Sequence, residues 1–327
     1  DTTGRNSVAV GISALYSQNT TGSADMHNTA VGSGAGFSVS TGYQSTYIGA
    51  LAGYFATTAD TTTFIGFKAG QGIDGAKLTG NNNVAVGANA GLLLQGAAEL
   101  NTYIGTSAGA ASTTVANNTA VGAFAFDAGT GADNTAVGSG ALGGASNSAA
   151  NNVAVGKDAG NSLSSGANNT FLGSLAGDGT DDGAKNVAVG TSSLSGNCGD
   201  KNTAVGYAAG FAITGTTNTT VGHEAGKGIS SGGYNTAVGA DTLLATCTGE
   251  YNTTLGYGAG QVITSGGSNT CVGERAGFAL DTGSNNLFAG NDAGRTGSPG
   301  GNMTNDANKI VLGDDNIAEA HIQVDWT

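Results

Sequence analysis

A nine-residue pattern recurs along this chain and restricts it to a fold built from similar coils. The pattern reads NTAVGAFAF at residues 118–126, within NNTAVGAFAF at 117–126, and returns as NTAVGSGAG, NTYIGTSAG, NTTVGHEAG and NTCVGERAG. Aligning the copies on the glycine that follows Val, Ile or Leu gives eighteen anchor glycines, with Ala289 as the one different preceding residue. The anchors are Gly11, Gly32, Gly49, Gly66, Gly87, Gly105, Gly122, Gly138, Gly156, Gly173, Gly190, Gly206, Gly222, Gly239, Gly256, Gly273, Gly290 and Gly313. Their spacing is mostly 16 to 18 residues, and a short period of this kind predicts a stacked solenoid.

The composition fits a thin solenoid better than other glycine-rich classes. The chain has 327 residues, of which 60 are Gly and one is Pro, without the Gly-X-Y period of collagen. Charged residues make up only 10%, which argues against a solvated disordered polymer. Hydrophobic residues make up 39% and are mostly Ala and Val, so we expect a narrow interior with small side chains.

Charge and cysteine content exclude several partners and linkages. The net charge of −13 argues against nucleic acid as a partner, because phosphates require a basic face. No apolar run approaches the roughly 18 residues of a membrane span, so no membrane insertion is predicted.

Cys198 and Cys247 each lie eight residues after an anchor but three coils apart, about 14 Å along a solenoid. We therefore predict buried or partly buried free thiols.

The columns around the anchor suggest which residues face inward. The residues one and three positions before the anchor share a parity, so in a strand they point the same way. Because Thr exchanges with Val and Leu three positions before it, we expect that face to be the interior. The residue between them is Ala in most copies and Tyr or Phe in others, which favours an outward position or one against a neighbouring chain.

Asparagine and alanine occupy two further columns. Asn lies four residues before the anchor in fourteen of eighteen copies, and Ala lies three residues after it in fifteen. We expect the Asn side chains to stack as a hydrogen-bonded ladder, in coils of two strands of about five residues and two turns. A coil this small leaves an apolar face uncovered, which predicts a homotrimer. The representative repeat residues are Asn28, Val31, Gly32, Asn118, Val121, Gly122, Asn202, Val205 and Gly206.

Two known families share this repeat. NSVAVG at residues 6–11 resembles the N-S-V-A-I-G repeat of trimeric autotransporter adhesin heads, and NTAVGSGAL and NTFLGSLAG resemble still more closely the repeat shafts of bacteriophage tail fibres and tail spikes. The anchor spacing gives about 18 coils of about 17 residues in an all-β, parallel β-solenoid. The resemblance implies that this solenoid is of the left-handed β-roll type. It also implies a homotrimer.

The last twenty residues depart from the repeat. NKIVLGDDNIAEAHIQVDWT, residues 308–327, has more charge, less Gly and the only Trp of the chain. It is similar to the segment that, in phage fibres, leads into an endosialidase-type intramolecular chaperone. We therefore expect a repeat shaft over 1–307 and a capping or transition segment over 308–327, ahead of a chaperone domain that this sequence does not contain. A plain capping strand pair is the alternative.

The resemblance implies a structural and adhesive function without catalysis or cofactor. The expected protein is the trimeric shaft of a phage tail fibre or receptor-binding protein, in the virion tail, contacting host polysaccharide or lipopolysaccharide. One alternative is a bacterial surface adhesin or extracellular filament of the trimeric autotransporter type. Another is a polysaccharide-depolymerising tail spike.

Catalytic and metal sites are not predicted. A glycosidase needs paired carboxylates, but the acids fall in different columns and are expected to be solvated turn residues. These are Asp181, Asp182, Glu224, Glu250, Asp314 and Asp315, with His223 beside Glu224. His27, His223 and His321 are many coils apart, and loop acids such as Asp178 are expected to hold a cation only weakly. Ice binding by the Thr column is disfavoured, because that column is expected to face inward.

Receptor contacts are expected at tyrosines outside the repeat columns. Aromatic rings stack on sugar faces, and loops on a rigid scaffold often carry recognition. The candidates are Tyr16, Tyr43, Tyr54, Tyr234 and Tyr251. The insertions Tyr16–His27 and Gln71–Asn82 are the loops of most interest. The alternative is that these rings fill gaps between coils or subunits.

Overall fold

The structure, a computed structural model, is an all-β parallel β-solenoid. It describes residues 6–19, 25–144, 148–298, 300–317 and 319. These residues contain eighteen three-residue strands and no helix, at about 17 residues per turn, which confirms the predicted fold class. The chain divides into two compact units, residues 1–185 (unit 1) and 186–327 (unit 2).

Unit 1 has ten strands, and consecutive strands within the unit pair in parallel. They are β1 (Val8–Val10), β2 (Thr29–Val31), β3 (Thr46–Ile48), β4 (Thr63–Ile65), β5 (Val84–Val86), β6 (Thr102–Ile104), β7 (Thr119–Val121), β8 (Thr135–Val137), β9 (Val153–Val155) and β10 (Thr170–Leu172). Equivalent repeat positions lie opposite each other, as Ala120 does to Ala136. A repeat that keeps its length from coil to coil therefore aligns its residues in columns.

Unit 2 repeats this arrangement with eight strands. They are β11 (Val187–Val189), β12 (Thr203–Val205), β13 (Thr219–Val221), β14 (Thr236–Val238), β15 (Thr253–Leu255), β16 (Thr270–Val272), β17 (Leu287–Ala289) and β18 (Ile310–Leu312). The strand β18 lies within the segment 308–327 and pairs in register with β17, with Val311 opposite Phe288. Residues 320–327, which include His321, lie outside the described residues.

Each coil has one short strand, so the expectation of two five-residue strands per coil was wrong. The returning side of the coil is a chain of tight turns, in which the Ala35 N–H donates to the Gly32 carbonyl at 3.3 Å. Neighbouring coils still bond there, since the Leu15 N–H donates to the Ala35 carbonyl at 3.0 Å. Positive φ angles at positions such as Leu15 and Gly36 interrupt the extended backbone that a second strand would need.

In strands β2 to β18 the middle residue points into the interior, which reverses the predicted orientation. Ala120 is fully buried, whereas Thr119 and Val121 on either side of it are partly exposed. The aromatic middle residues, such as Tyr47 and Phe64, are also fully buried. Thr and Val exchange because both suit an outward position on a sheet, and not because the position is buried.

The inward orientation explains why glycine and bulky residues alternate in the repeat. Regular coils bury one large side chain, taken from one of three positions. In unit 1 it comes from the middle of the strand (Tyr47, Phe64, Tyr103, Phe171), from four residues after the anchor (Leu15, Phe126, Leu142) or from seven residues after it (Val39, Leu94, Leu163). In unit 2 the same positions supply Phe288, then Leu194 and Leu243, then Ile213, Ile229, Ile263 and Leu280.

When the middle of a strand carries an aromatic ring, the residue four positions after the anchor is glycine, because a side chain there would overlap with the ring. A Cβ at Gly177 would lie 2.5 Å from the ring of Phe171, and one at Gly53 would lie 2.3 Å from Tyr47. Such contacts are far inside van der Waals distance. The long insertion Gln71–Asn82 adds one further large buried side chain, that of Leu78, which bridges to Ala56.

The anchor glycine ends each strand where successive coils approach most closely. Gly122 has a φ of 138°. A Cβ at this position would lie 2.5 Å from the carbonyl oxygen of Gly138 in the next coil. A positive φ and a steric clash with the next coil therefore both favour glycine at the anchor.

The asparagine column forms the predicted hydrogen-bonded ladder. The Asn118 N–H donates to Oδ1 of Asn101 at 3.0 Å, and Asn118 Oδ1 accepts from the Asn134 N–H at 3.0 Å. Its Nδ2 donates to the Gly131 carbonyl at 3.0 Å. In unit 2, the Asn218 N–H donates to Asn202 Oδ1 at 2.9 Å. Asn28, Asn118 and Asn202 are fully buried, so the ladder satisfies backbone groups that water cannot reach.

The cysteines are buried thiols, as predicted for Cys198 and Cys247. Cys271 occupies the middle of β16 and therefore points into the interior. Burial raises the pKa of the Cys271 thiol to about 12, and it also raises the pKa of Cys247. A raised pKa disfavours the thiolate, which is the reactive form of cysteine. Cys271 and Cys247 therefore act as small core residues.

Removing one rung of the asparagine ladder should destabilise unit 1. We expect Asn118→Ala to lower the free energy of unfolding by about 1–3 kcal/mol, because the buried Asn134 N–H loses its acceptor. Asn118→Ser should cost less, because Ser45 Oγ already accepts from the Thr62 N–H at 3.2 Å in another coil. Urea unfolding of the three proteins measures the difference. Equal losses in both variants would show that the acceptor is unimportant.

Candidate functional site

The first and third residues of the strands form an uncharged surface, called here the outer face. None of the eighteen strands carries a charged residue at either position. The first position is usually Thr, and the third is Val, Ile or Leu in all strands except β17. Ile104 of unit 1 is 40% exposed and Leu255 of unit 2 is 47% exposed, so an aliphatic column remains in contact with solvent in each unit of the described chain.

The repeat residues proposed from sequence therefore have three different roles. Val31, Val121 and Val205 lie on the outer face and were wrongly expected in the interior. The asparagines proposed with them form the buried ladder, and the glycines form the close corner. Of these three sets of repeat residues, the valines are the ones that lie on the outer face and can contact a partner.

Three aromatic residues of unit 1 stack as a surface ladder. Tyr16 and Phe37 have ring centroids 5.1 Å apart, and Phe37 and Tyr54 are 4.6 Å apart, with planes within 4° of parallel. Each residue lies five positions after its anchor, so in-register stacking aligns the rings. Phe55 meets Tyr54 edge-on at 4.8 Å. Tyr16 is 70% exposed and ends the ladder.

A second aromatic pair lies in unit 2. Tyr234 and Tyr251 both lie five residues before an anchor, and their rings stack at 5.0 Å with planes 9° apart. The ring of Tyr43 joins neither stack. The Tyr43 N–H donates to Asp60 Oδ1 at 3.0 Å. The structure thus brings four of the five candidate tyrosines into stacks. Their inner ring faces cover one another, which leaves outer faces and edges for a ligand.

Two of the acids considered from sequence, Asp181 and Asp314, accept hydrogen bonds from neighbouring polar groups. Asp181 accepts a hydrogen bond from the hydroxyl of Ser164. Asp314 accepts hydrogen bonds from the side chain and backbone of Asn316, which hold the pKa of its carboxyl below its usual range. A general acid needs a raised pKa, so Asp314 has the opposite property.

One shallow pocket of about 370 Å³ lies near the end of unit 2. It is lined by side chains of β16, β17 and β18 and of the turns that precede them, including Thr270, Asn285 and Lys309. The described residues that line it include no carboxylate. The paired acids that a depolymerising spike would use are therefore not at this pocket.

Near two of the anchors, one histidine and two acidic residues lie close together. His223, Glu224 and Asp241 in unit 2 bring one potential ligand atom each within 4.8 Å of one another. His223 was considered for catalysis and metal binding from sequence, but Asp241 was not. His27 is an exposed residue of unit 1, and His321 lies outside the described residues.

Comparison with known proteins gives no family assignment. The chain matches no protein-family model and shows no significant similarity to a curated protein. Among the described residues there is no helix long and apolar enough to cross a bilayer.

Column register would have identified the candidate site residues that sequence analysis missed. Phe37 falls in the same column as Tyr16 and Tyr54. Asp241 falls in the same column as Glu224, two residues after the anchor, in the following coil. Because each column becomes a row of neighbours in a parallel solenoid, residues one repeat apart are in contact even though 17 positions separate them.

Proposed function

We propose that this protein is the non-enzymatic shaft of a trimeric fibre, whose three chains associate through their outer faces. The supporting observation is that these faces are free of charge and expose an aliphatic column in both units. Single exposed apolar residues are ordinary on protein surfaces, but a contiguous apolar surface usually marks an interface.

Burial of the outer face would stabilise the fibre through many small contributions. Removing apolar surface from water contributes about 25 cal/mol per Å². The Thr side chains beside the aliphatic column are small and uncharged, so they can enter a close interface at low desolvation cost compared with charged residues. A threefold arrangement buries one such face from each chain in a closed assembly.

The resemblance to phage fibre shafts supports a place in the virion tail and adhesion to host polysaccharide or lipopolysaccharide. The exposed ring faces of Tyr16, Tyr234 and Tyr251 are the proposed glycan contacts. Three copies of a weak site would bind a cell surface with avidity. A bacterial surface adhesin is the alternative with the same architecture.

A charge placed on the outer face should prevent assembly. We expect the wild-type chain to have a mass of three times 31.4 kDa by light scattering after size-exclusion chromatography. Ile104→Lys should reduce the assembled fraction by at least tenfold, because an unpaired charge in an apolar seam costs several kcal/mol.

The control is Thr114→Lys, an exposed position in the same coil but away from the strand. It should assemble as the wild type does. A monomeric wild-type chain, or loss of assembly in both variants, would contradict the proposal.

Ice is a second candidate ligand of the same surface, favoured by the outward Thr column. The inward orientation that argued against ice binding was wrong. Seven of the ten strands in unit 1 begin with Thr. Successive strands place these hydroxyls about 4.8 Å apart, and the aliphatic column runs about 6.6 Å away on the same face. A flat, regular and uncharged array of hydroxyl and methyl groups is the kind of surface that orders water.

An ice-recrystallisation assay separates the two candidates. If the outer face binds ice, the chain should suppress crystal growth as a monomer, and Thr119→Lys should abolish the effect while Thr114→Lys should not. If the face is the trimer seam, it is covered, and neither the wild type nor the variants should inhibit growth. Trimeric protein without inhibition would reject the ice candidate.

A further inference from the structure

We propose that His223, Glu224 and Asp241 form a binding site for one zinc ion on the surface of unit 2. The three residues come from two consecutive coils. His223 and Glu224 directly follow the anchor Gly222, and Asp241 lies two residues after Gly239. This site is independent of the outer face and of the fibre function.

The donor atoms already lie close together. His223 Nδ1 is 4.0 Å from Asp241 Oδ1, and all three potential ligand atoms lie within 4.8 Å of one another. Ligands at 2.0–2.2 Å from a tetrahedral zinc are about 3.3 Å apart. Small side-chain rotations would therefore close the group around the ion without moving the backbone.

Backbone and ring contacts position these side chains. The Asp241 N–H donates to the His223 carbonyl at 3.1 Å, which links the two coils at the site. The imidazole stacks on Tyr207 of the preceding coil, with centroids 5.3 Å apart and planes 19° from parallel. This stacking restricts the orientation of the His223 ring before any ligand binds.

Charge distinguishes this site from other acids in the same column. Asp158 and Asp292 also lie two residues after an anchor, and each pairs with a cation: Asp158 with Lys157, and Asp292 with Arg295 and Arg275. For Asp241, the ion-pair neighbour among the described residues is the imidazole of His223. Of these two acids in adjacent coils, Glu224 pairs with Lys227, and Asp241 pairs with His223.

Lys227 would compete with a metal ion for the carboxylate of Glu224. Its Nζ lies 2.8 Å from Glu224 Oε1, and both side chains are partly exposed. Exposed ion pairs contribute only about 0–1 kcal/mol, so a divalent cation can displace or share this contact. Removing Lys227 should therefore strengthen metal binding.

The ligand set favours zinc over the hard cations. One imidazole nitrogen and two carboxylate oxygens are typical zinc donors, whereas magnesium and calcium prefer oxygen ligands throughout. Three protein ligands leave a fourth position for water. The site is thus of the open kind.

Calorimetric titration of chelator-treated full-length protein with zinc chloride tests the proposal. We expect one zinc per chain at this site, and at least tenfold weaker binding in His223→Ala and in Asp241→Asn. Lys227→Met should bind more tightly than the wild type. Magnesium chloride at the same concentration should give no comparable binding.

The matched control is His27→Ala, which removes an exposed histidine of unit 1 and should leave the affinity unchanged. Circular dichroism before and after the substitutions confirms that the fold is retained. Absence of zinc binding by the wild type, or wild-type affinity in both His223→Ala and Asp241→Asn, would overturn the proposal.

Discussion

The interior of a regular coil has room for one large side chain, and the rest of the structure depends on this limit. Where the strand carries a ring at its centre, as at Phe171, the position four residues after the anchor must be glycine. Where that position is Leu or Phe, as at Phe126, the strand centre is Ala. Because every coil holds a similar volume, coils of different sequence can stack at a constant spacing.

Constant stacking turns each repeat position into a column, and the columns then acquire separate roles. The Asn column satisfies buried backbone groups, and the anchor glycines allow coils to approach at the corner. The first and third strand positions form the outer face, which supplies the surface for the proposed assembly. Columns outside the strand are free to vary, and there the aromatic stacks and the His223 group occur.

Much of this fold could be predicted from sequence because the period and the invariant letters have direct physical causes. The solenoid, the Asn ladder and the role of Gly122 follow from spacing and residue type. The inward face could not be predicted from the exchange of Thr with Val, because both residues suit the exposed side of a strand as well as the buried side.

Residue pairs seven positions or fewer apart in the repeat do indicate which side of the strand faces the interior. Tyr or Phe at the strand centre always occurs with a glycine four residues after the anchor, as for Tyr103 with Gly109. That covariation within one chain indicates that the two positions share a space. Contacts such as His223 with Asp241 depend in addition on side-chain geometry, which spacing alone does not determine.

A double-mutant cycle on Phe171 and Gly177 tests the volume limit most directly. Phe171→Ala should destabilise the protein by about 3–5 kcal/mol, and Gly177→Leu alone should destabilise it through overpacking. Leucine is accepted at this position in other coils, where Leu142 has a φ of 48°. The double variant recreates the Ala and Leu combination of those coils, so its free energy of unfolding should exceed that of either single variant. Additive losses in the double variant would show that the two positions do not fill one shared space and would contradict this account.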